Sequence, residues 1–262
     1  MLIRISEAHR IYHGDVIDML QQIPDHSIDL LFLDPPYNLG KDFGQCKDQW
    51  QSPKAYMDWC YQWLALCLQK LGPTGSVYCM AATQFMPFFD IYLREHLHIL
   101  SRIVWCYDSS GRQAKKYFGS LYEPILYGVK NPRQYVFNAH SIQIPAKTGA
   151  QRKLIDYRAN PPRVYNSTKV PGNVWEFPRV RFRMKEYSPH PSQKPEALLE
   201  RIILASSHPG HTVLDPFAGT FTTAAVCARL GRHSINIEQE AEYVQRGRLR
   251  ITEILNKNRK NA

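Results

Sequence analysis

The chain has 262 residues, 44% of them hydrophobic, and a formal net charge of +10. This length suits one large domain, or one domain with a substantial insertion, and the hydrophobic content argues against disorder over most of it. No apolar run is long enough to span a membrane, and Met1-Leu2-Ile3-Arg4-Ile5-Ser6-Glu7 lacks a signal-peptide layout.

The six cysteines (Cys46, Cys60, Cys67, Cys79, Cys106, Cys227) form no C-x-x-C pair. They are expected as free thiols in a reducing, bacterial-type cytoplasm, where the nucleoid also lies. His96 and His98 alone do not make a metal set, so no metal is expected.

In chain order, the apolar run 28–33 reads as a buried strand. Asp34-Pro35-Pro36-Tyr37 follows at once. Two prolines set φ twice and remove two N–H donors, and each pushes its predecessor into extended backbone. The Asp34 and Pro35 carbonyls then form a stiff acceptor cluster beside an aromatic ring, suited to a planar amine such as a nucleobase. An ordinary turn would use the same residue types. The loop over 40–50 is placed to close over such a base.

Ser52-Pro53 marks a helix start, with apolar residues at helical spacing up to Leu71 and Gly72-Pro73 as the stop. A strand over 76–80, a helix over 84–97 and strands over 99–106 and 121–129 follow. Residues 131–187 differ, being rich in proline, Arg and Lys with short β-like pieces. The α/β alternation then returns as a helix from Pro195 to about 206, a strand over 212–214, a helix over 220–230, a strand over 234–237 and a basic helix over about 240–257. The pattern predicts a mostly parallel, twisted sheet with helices on both faces.

Between Asp108 and Tyr187 there are fifteen Lys and Arg against five acids, which is the whole excess charge of the chain. Such a segment suits a polyanion, although a solvated surface is the plain alternative. Arg179, Arg181, Arg183 and Lys185 alternate with Val180, Phe182 and Met184, which on a strand would align four cations as a phosphate track or as a protected edge. Arg112, Lys115 and Lys116 fall in a loop between two strands and could enter a groove.

Asp215-Pro216-Phe217-Ala218-Gly219-Thr220 sits between a strand and a helix, the layout of a ligand cradle. Glu238, 19 residues after Gly219, is spaced to bind a ribose diol. The absence of G-x-G-x-x-G argues against a dinucleotide.

These two motifs together resemble the S-adenosylmethionine-dependent DNA amino-methyltransferases. The order of catalytic tetrapeptide, basic module and cofactor turn resembles the β-class of adenine-N6 enzymes. So do His190-Pro191-Ser192-Gln193-Lys194-Pro195-Glu196-Ala197-Leu198-Leu199 and Tyr12-His13-Gly14-Asp15. Residues 107–111 and 172–179 resemble the small solitary enzymes acting at ATGCAT-like palindromes.

The resemblance implies a Rossmann-like methyltransferase fold. Residues 1–130 would be its catalytic half, 131–187 an inserted mixed or β target-recognition module, and 188–262 its cofactor-binding half. It implies double-stranded DNA as partner, entered by base flipping, and leaves room for a homodimer. Asp34, Pro35, Pro36 and Tyr37 would be catalytic. Asp15 would meet the cofactor adenine and Glu238 its ribose. Asp215, Gly219 and Thr220 would meet its methionine part, Ser192 and Lys194 its carboxylate, and Phe217 would also bind the cofactor.

One residue departs from the family pattern. Phe221 stands where a second glycine is usual, and a side chain there is expected to bar the glycine-only backbone conformation, so that either the helix begins earlier or Phe221 packs against the cofactor or core. Cytosine-N4 enzymes usually carry Ser in place of Asp34, and protein-glutamine methyltransferases place their cofactor motif first. A DNA-binding subunit without catalysis is the alternative from another class.

Overall fold

The computed structural model describes residues 1–43, 47–108, 115–147 and 152–261. β1 (Leu2–Arg4) and β2 (His9–His13) pair antiparallel, and α1 (Val16–Leu20) follows with Asp15 as its N-cap. β3 (Ile28–Leu33) is the predicted strand. α2 (Pro53–Lys70) starts as predicted, with the Ser52 hydroxyl accepting the Ala55 N–H. β4 (Leu71–Met80), α3 (Met86–His96), β5 (His98–Cys106) and β6 (Tyr122–Val129) come next.

Gly72-Pro73 proves to be part of a strand rather than a terminator. The helix stops at Lys70, and these residues lie in β4 where the register against β3 jumps from Ile28–Leu71 to Leu30–Ser76. A bulge tolerates a proline without an N–H and a glycine whose backbone comes close to its neighbour.

Beyond β6 the described residues make a 3-10 turn (Ala139–Ile142) and four two-residue strands: β7 (Ile144–Pro145), β8 (Ile155–Asp156), β9 (Arg163–Val164) and β10 (Thr168–Lys169). β7 pairs with β10 and β8 with β9. β11 (Val174–Glu176) leaves this group and pairs parallel with β5 at the edge of the main sheet. α4 (Glu196–Ser206), β12 (Thr212–Asp215), α5 (Thr222–Leu230), β13 (His233–Glu238) and α6 (Ala241–Asn261) complete the fold.

The main sheet runs β1-β2-β13-β12-β3-β4-β6-β5-β11, and five of its eight pairings are parallel. This is the predicted α/β, mostly parallel architecture. α1, α2 and α3 pack as one group and α4, α5 and α6 as another. From β3 the chain crosses to β4, and from β12 it crosses to β13 on the opposite side. The connections part there, which opens a crevice at the carboxyl ends of β3 and β12. Asp34 follows one strand and Asp215 ends the other.

The predicted strand through Arg179–Lys185 does not form. This stretch is a run of turns, in which the Met184 N–H bonds to Arg181 O and the Tyr187 N–H to Met184 O, and Arg183 has φ +72°. Alternation alone was misleading, because Phe182 is 72% exposed and so no apolar face is buried. The four cations therefore do not share one face. Among the described residues, no helix is long and apolar enough to cross a membrane.

Candidate active site

A cavity of about 330 Å³ lies over the crevice. Asp15, Asp34, Pro35, Phe217, Gly219 and Glu238 line it, and Pro36 and Ser192 also reach it. Lys194, Asp215 and Thr220 line an adjoining recess that shares Asp34 and Gly219 with the first. Tyr37 lies on a further recess with Lys41 and Lys194. The fold thus gathers the expected catalytic and cofactor residues into one connected set of cavities.

Each is positioned by its local structure. Asp15 Oδ1 caps α1, accepting the N–H groups of Ile17 and Asp18. Glu238 ends β13, and its carboxylate accepts the Gly219 N–H at 2.7 Å and the Gln239 and Glu240 N–H groups at 2.9 and 2.8 Å. Burial pushes the Glu238 carboxyl up despite these bonds. Gly219 has φ +48°, and a Cβ there would meet His190 Nε2 at 2.9 Å. Only glycine fits that turn. His190 itself is held well below its usual range, at about 3, by burial and by the nearby Lys194 and Lys41. Its neutral ring lies edge-on to Tyr243, with centroids 4.7 Å apart.

Phe221 overturns the expectation about its backbone but takes the core-packing alternative. It adopts the left-handed conformation itself (φ +58°, ψ 34°), and α5 starts only at Thr222. The ring is fully buried with Ile11, Ala224, Val244 and Ile251. A Cβ on Gly247 of α6 would fall 2.1 Å from Phe221 Cδ2, so the ring occupies the space a side chain would take there. The strain of a non-glycine left-handed residue, about 1–2 kcal/mol, is offset by burying an aromatic side chain. α6 also braces this turn through Arg250, whose Nη1 donates to Thr220 O at 2.7 Å.

The base side of the site contains partners absent from the motifs. Asp34 is mostly buried, its side chain 13% exposed, with Lys194 Nζ 2.7 Å from its Oδ2 and Tyr37 Oη 2.8 Å from its Oδ1. Glu123 of β6 also approaches both, at 3.5 Å from Lys194 Nζ and 3.0 Å from Tyr37 Oη. Burial raises the Asp34 carboxyl, Lys194 pulls it back and Glu123 pushes it up, and the balance is upward. Lys194, expected at a cofactor carboxylate, sits instead on this acidic pair. An ammonium buried this deeply requires counter-ions.

Tyr37, the aromatic ring expected beside the acceptor cluster, is buried, and Lys194 Nζ lies 5.3 Å from its ring centroid. The Pro36 carbonyl accepts from Tyr56 Oη at 2.8 Å. Asp48, also absent from the motif reading, is buried and accepts the N–H groups of Tyr37, Leu39 and Lys41, which pins the backbone after the tetrapeptide. Residues 44–46 of the expected closing loop lie outside the described residues.

Among the expected DNA contacts, Lys115 and Lys116 are exposed between β5 and β6, beside the fully exposed Phe118. Arg112 lies outside the described residues. The Arg179 guanidinium lies 5.2 Å from the Tyr107 ring centroid, and Arg181 pairs with Asp108 at 2.6 Å. Arg183 lies by Phe182, and Lys185 falls in the same run of turns.

Residues 28–248 match a family described as DNA methylase. DNA adenine methyltransferase YhdJ of Escherichia coli (strain K12) is 55% identical over 246 residues, which cover 94% of this chain and 83% of that protein. Type II methyltransferase M.HpaI of Haemophilus parainfluenzae is 36% identical over 245 residues, covering 92% and 74%. The crystal structure of the M1.HpyAVI-SAM complex has a TM-score of 0.62 to this fold at 24% sequence identity, covering 92% of this chain and 99% of that one.

Proposed function

Because the chain belongs to the DNA methylase family, we propose that it transfers a methyl group from S-adenosylmethionine to N6 of adenine within a specific double-stranded DNA sequence. The observation that carries this reading is the Asp34 carboxylate beside the Pro35 carbonyl at the wall of the cavity. Asp at that position, rather than the Ser usual in cytosine-N4 enzymes, favours adenine, as does the 55% identity to a DNA adenine methyltransferase.

The residues around the cavity fit the cofactor. Asp15 and Glu238 offer carboxylates for an adenine amino group and a ribose diol, and Phe217 and Tyr243 add aromatic wall. Gly219 leaves room that a Cβ would fill. Asp215 and Thr220 face the recess where a cationic tail would lie, with Ser192 beside it. Bound there, S-adenosylmethionine supplies an electrophilic methyl group on a positively charged sulfur.

The chain's own groups do the rest. An adenine paired and stacked in the duplex must first be flipped out. The Asp34 carboxylate and Pro35 carbonyl accept its two N6 hydrogens, drawing the nitrogen toward a tetrahedral shape and freeing its lone pair. The same acceptors stabilise the positive charge that develops there. Rigid prolines and the Asp48 anchor hold this geometry before the base arrives, so alignment is already in place. Tyr37 and Pro36 wall the base recess. Lys115, Lys116, Arg112, Arg179, Arg181, Arg183 and Lys185 supply the cationic surface for the backbone, and residues 131–187 make the choice of sequence.

The test is single-molecule sequencing of DNA from cells expressing the protein. N6-methyladenine confined to one sequence, expected as an ATGCAT-like palindrome, is the predicted outcome. Modified cytosine, or no modification, refutes the reading.

Asp215 gives a second prediction. Burial raises its carboxyl to about 7, against hydrogen bonds from the Thr223 hydroxyl at 2.5 Å and the Phe217 N–H at 3.0 Å. A folded pKa above the unfolded value of 3.8 means the protonated form stabilises the empty protein below about pH 4, and that contribution disappears as pH rises to about 7. A cationic ligand favours the ionised form. Cofactor affinity should therefore tighten by about tenfold between pH 6 and 8, with close to one proton released on binding at pH 6 and almost none at pH 8. Calorimetry in buffers of different ionisation enthalpy reads both quantities, and Asp215→Asn should flatten the profile.

A further inference from the structure

Asp34, Tyr37, Glu123 and Lys194 form a closed ring. Tyr37 Oη stands 2.8 Å from Asp34 Oδ1 and 3.0 Å from Glu123 Oε2. Lys194 Nζ stands 2.7 Å from Asp34 Oδ2 and 3.5 Å from Glu123 Oε2. The side chains of Lys194, Asp34 and Glu123 are only 7%, 13% and 19% exposed, so these contacts are largely shielded from bulk water.

Counting protons is informative. Lys194 has enough protons to donate to both carboxylates. Tyr37 has one proton and two carboxylates within hydrogen-bond distance. With both acids ionised, one of those two contacts has no hydrogen between its oxygens. One added proton, on either carboxyl, turns every contact into a hydrogen bond. The charge changes with it: two carboxylates and one ammonium give −1, and the added proton gives 0.

Methylation of an amino nitrogen needs a partner with this vacancy. The new N–C bond forms as the carbon–sulfur bond breaks, its electron pair staying on the departing sulfur. The nitrogen then carries a unit of positive charge and must lose one proton to become a neutral secondary amine. Asp34 and Lys194 together are neutral, so Glu123 is the residue that leaves the ring anionic. We infer that Glu123 is a positioning residue for methyl transfer, and that the Asp34–Tyr37–Glu123–Lys194 ring takes up the single proton shed by the methylated nitrogen. Asp34, which touches the base, receives it. Tyr37 links Asp34 to Glu123, so that the proton is shared between the two carboxyls.

This rests on the amino-methyl transfer proposed above. The neutral His190 imidazole, the Tyr107 phenol and the Cys79 thiol also face the ring, and the other charged groups facing it are Lys41, on the same recess as Tyr37, and Asp215, next to Asp34 across the β3–β12 crevice. Neither Lys41 nor Asp215 makes a hydrogen bond to it.

The experiment is single-turnover methylation across pH with labelled methyl donor and duplex DNA, comparing wild type, Glu123→Gln and Glu123→Asp. The wild-type rate should fall at acid pH, where the ring is filled in advance. Glu123→Gln keeps the shape but removes the charge. Its plateau should drop about 10²-fold. Its acid limb should also move to lower pH, because the Glu123 charge no longer opposes ionisation of Asp34. Glu123→Asp, with the charge restored, should recover most of the plateau.

A wild-type plateau in Glu123→Gln overturns the inference. So does a lowered plateau with an unmoved acid limb, since a purely structural defect would produce that. Glu123→Asp as slow as Glu123→Gln also counts against it. Should Glu123→Gln fail to fold, Tyr37→Phe breaks the same link and should lower the plateau and move the acid limb; normal turnover there has the same force. A wild-type protein that methylates no amino group of DNA would instead sink the function proposed above.

Discussion

Asp34→Ala is expected to lower methyl transfer by about 10³-fold or more while cofactor and DNA still bind, since removing one preorganised acceptor at a developing charge has effects of this size. The fold adds a second consequence that motif reasoning would miss. Lys194 keeps the 3.5 Å contact to Glu123 and its bond to Ser192 O at 3.4 Å, but the buried ammonium loses its nearer counter-ion. Breaking a buried pair from one side typically costs about 3–5 kcal/mol, and Glu123 should hold the loss near the lower end. At about 2–4 °C per kcal/mol for a chain of this size, the melting temperature should fall by several degrees. Asp34→Asn keeps the shape and one acceptor oxygen, so it should be nearly as inactive but melt closer to wild type. Single-turnover kinetics and thermal melts of both variants check this. Wild-type turnover in either would end the proposed role of Asp34.

Phe221→Ala should give the largest loss of stability, about 3–5 kcal/mol, because it empties a fully buried aromatic site. The left-handed backbone remains, so the substitution relieves no strain. Gly247→Ala should also destabilise, by about 1–3 kcal/mol, since its methyl group would land on the Phe221 ring. The double variant should be more stable than the two losses added together, because the new methyl enters the space the ring has left. Residues in direct contact typically show coupling of about 0.5–3 kcal/mol. Denaturant melts of the four proteins measure it, and strict additivity would show that the two sites do not share this space. Cofactor affinity should fall in Phe221→Ala as well, because the ring anchors the turn that carries Gly219 and Thr220.

Much of the fold was legible because its signals are local. The apolar run before Asp34 reads as a strand without any knowledge of its neighbours. Ser52-Pro53 carries its own capping chemistry. The turn from Asp215 to Thr220 and the acid at Glu238 are linked by spacing, and the structure joins them through the Gly219 N–H. The reading failed where local pattern had no tertiary support. Arg179 to Lys185 alternates like a strand, but the edge strand beside β5 is already Val174–Glu176, and local turn bonds take over.

The backbone of Phe221 was misread in the opposite way, while its packing against the core was one of the alternatives left open. The sequence argued that a side chain excludes the left-handed conformation, whereas α6 supplies a glycine that makes room for the ring. Glu123, Asp48 and the true partners of Lys194 left no sequence signal. Glu123 is 86 residues from Tyr37, and its neighbours Tyr122 and Pro124 mark it only as part of a strand.

By itself, the sequence determined the α/β alternation, the acceptor cluster at Asp34 and the turn at Gly219, since each depends on backbone preferences over a few adjacent residues. Only the tertiary structure decided the ionisation and pairing around Asp34. Charge interaction in a buried site depends on distance through space and on exclusion of water, and neither is encoded in the spacing of residues along the chain.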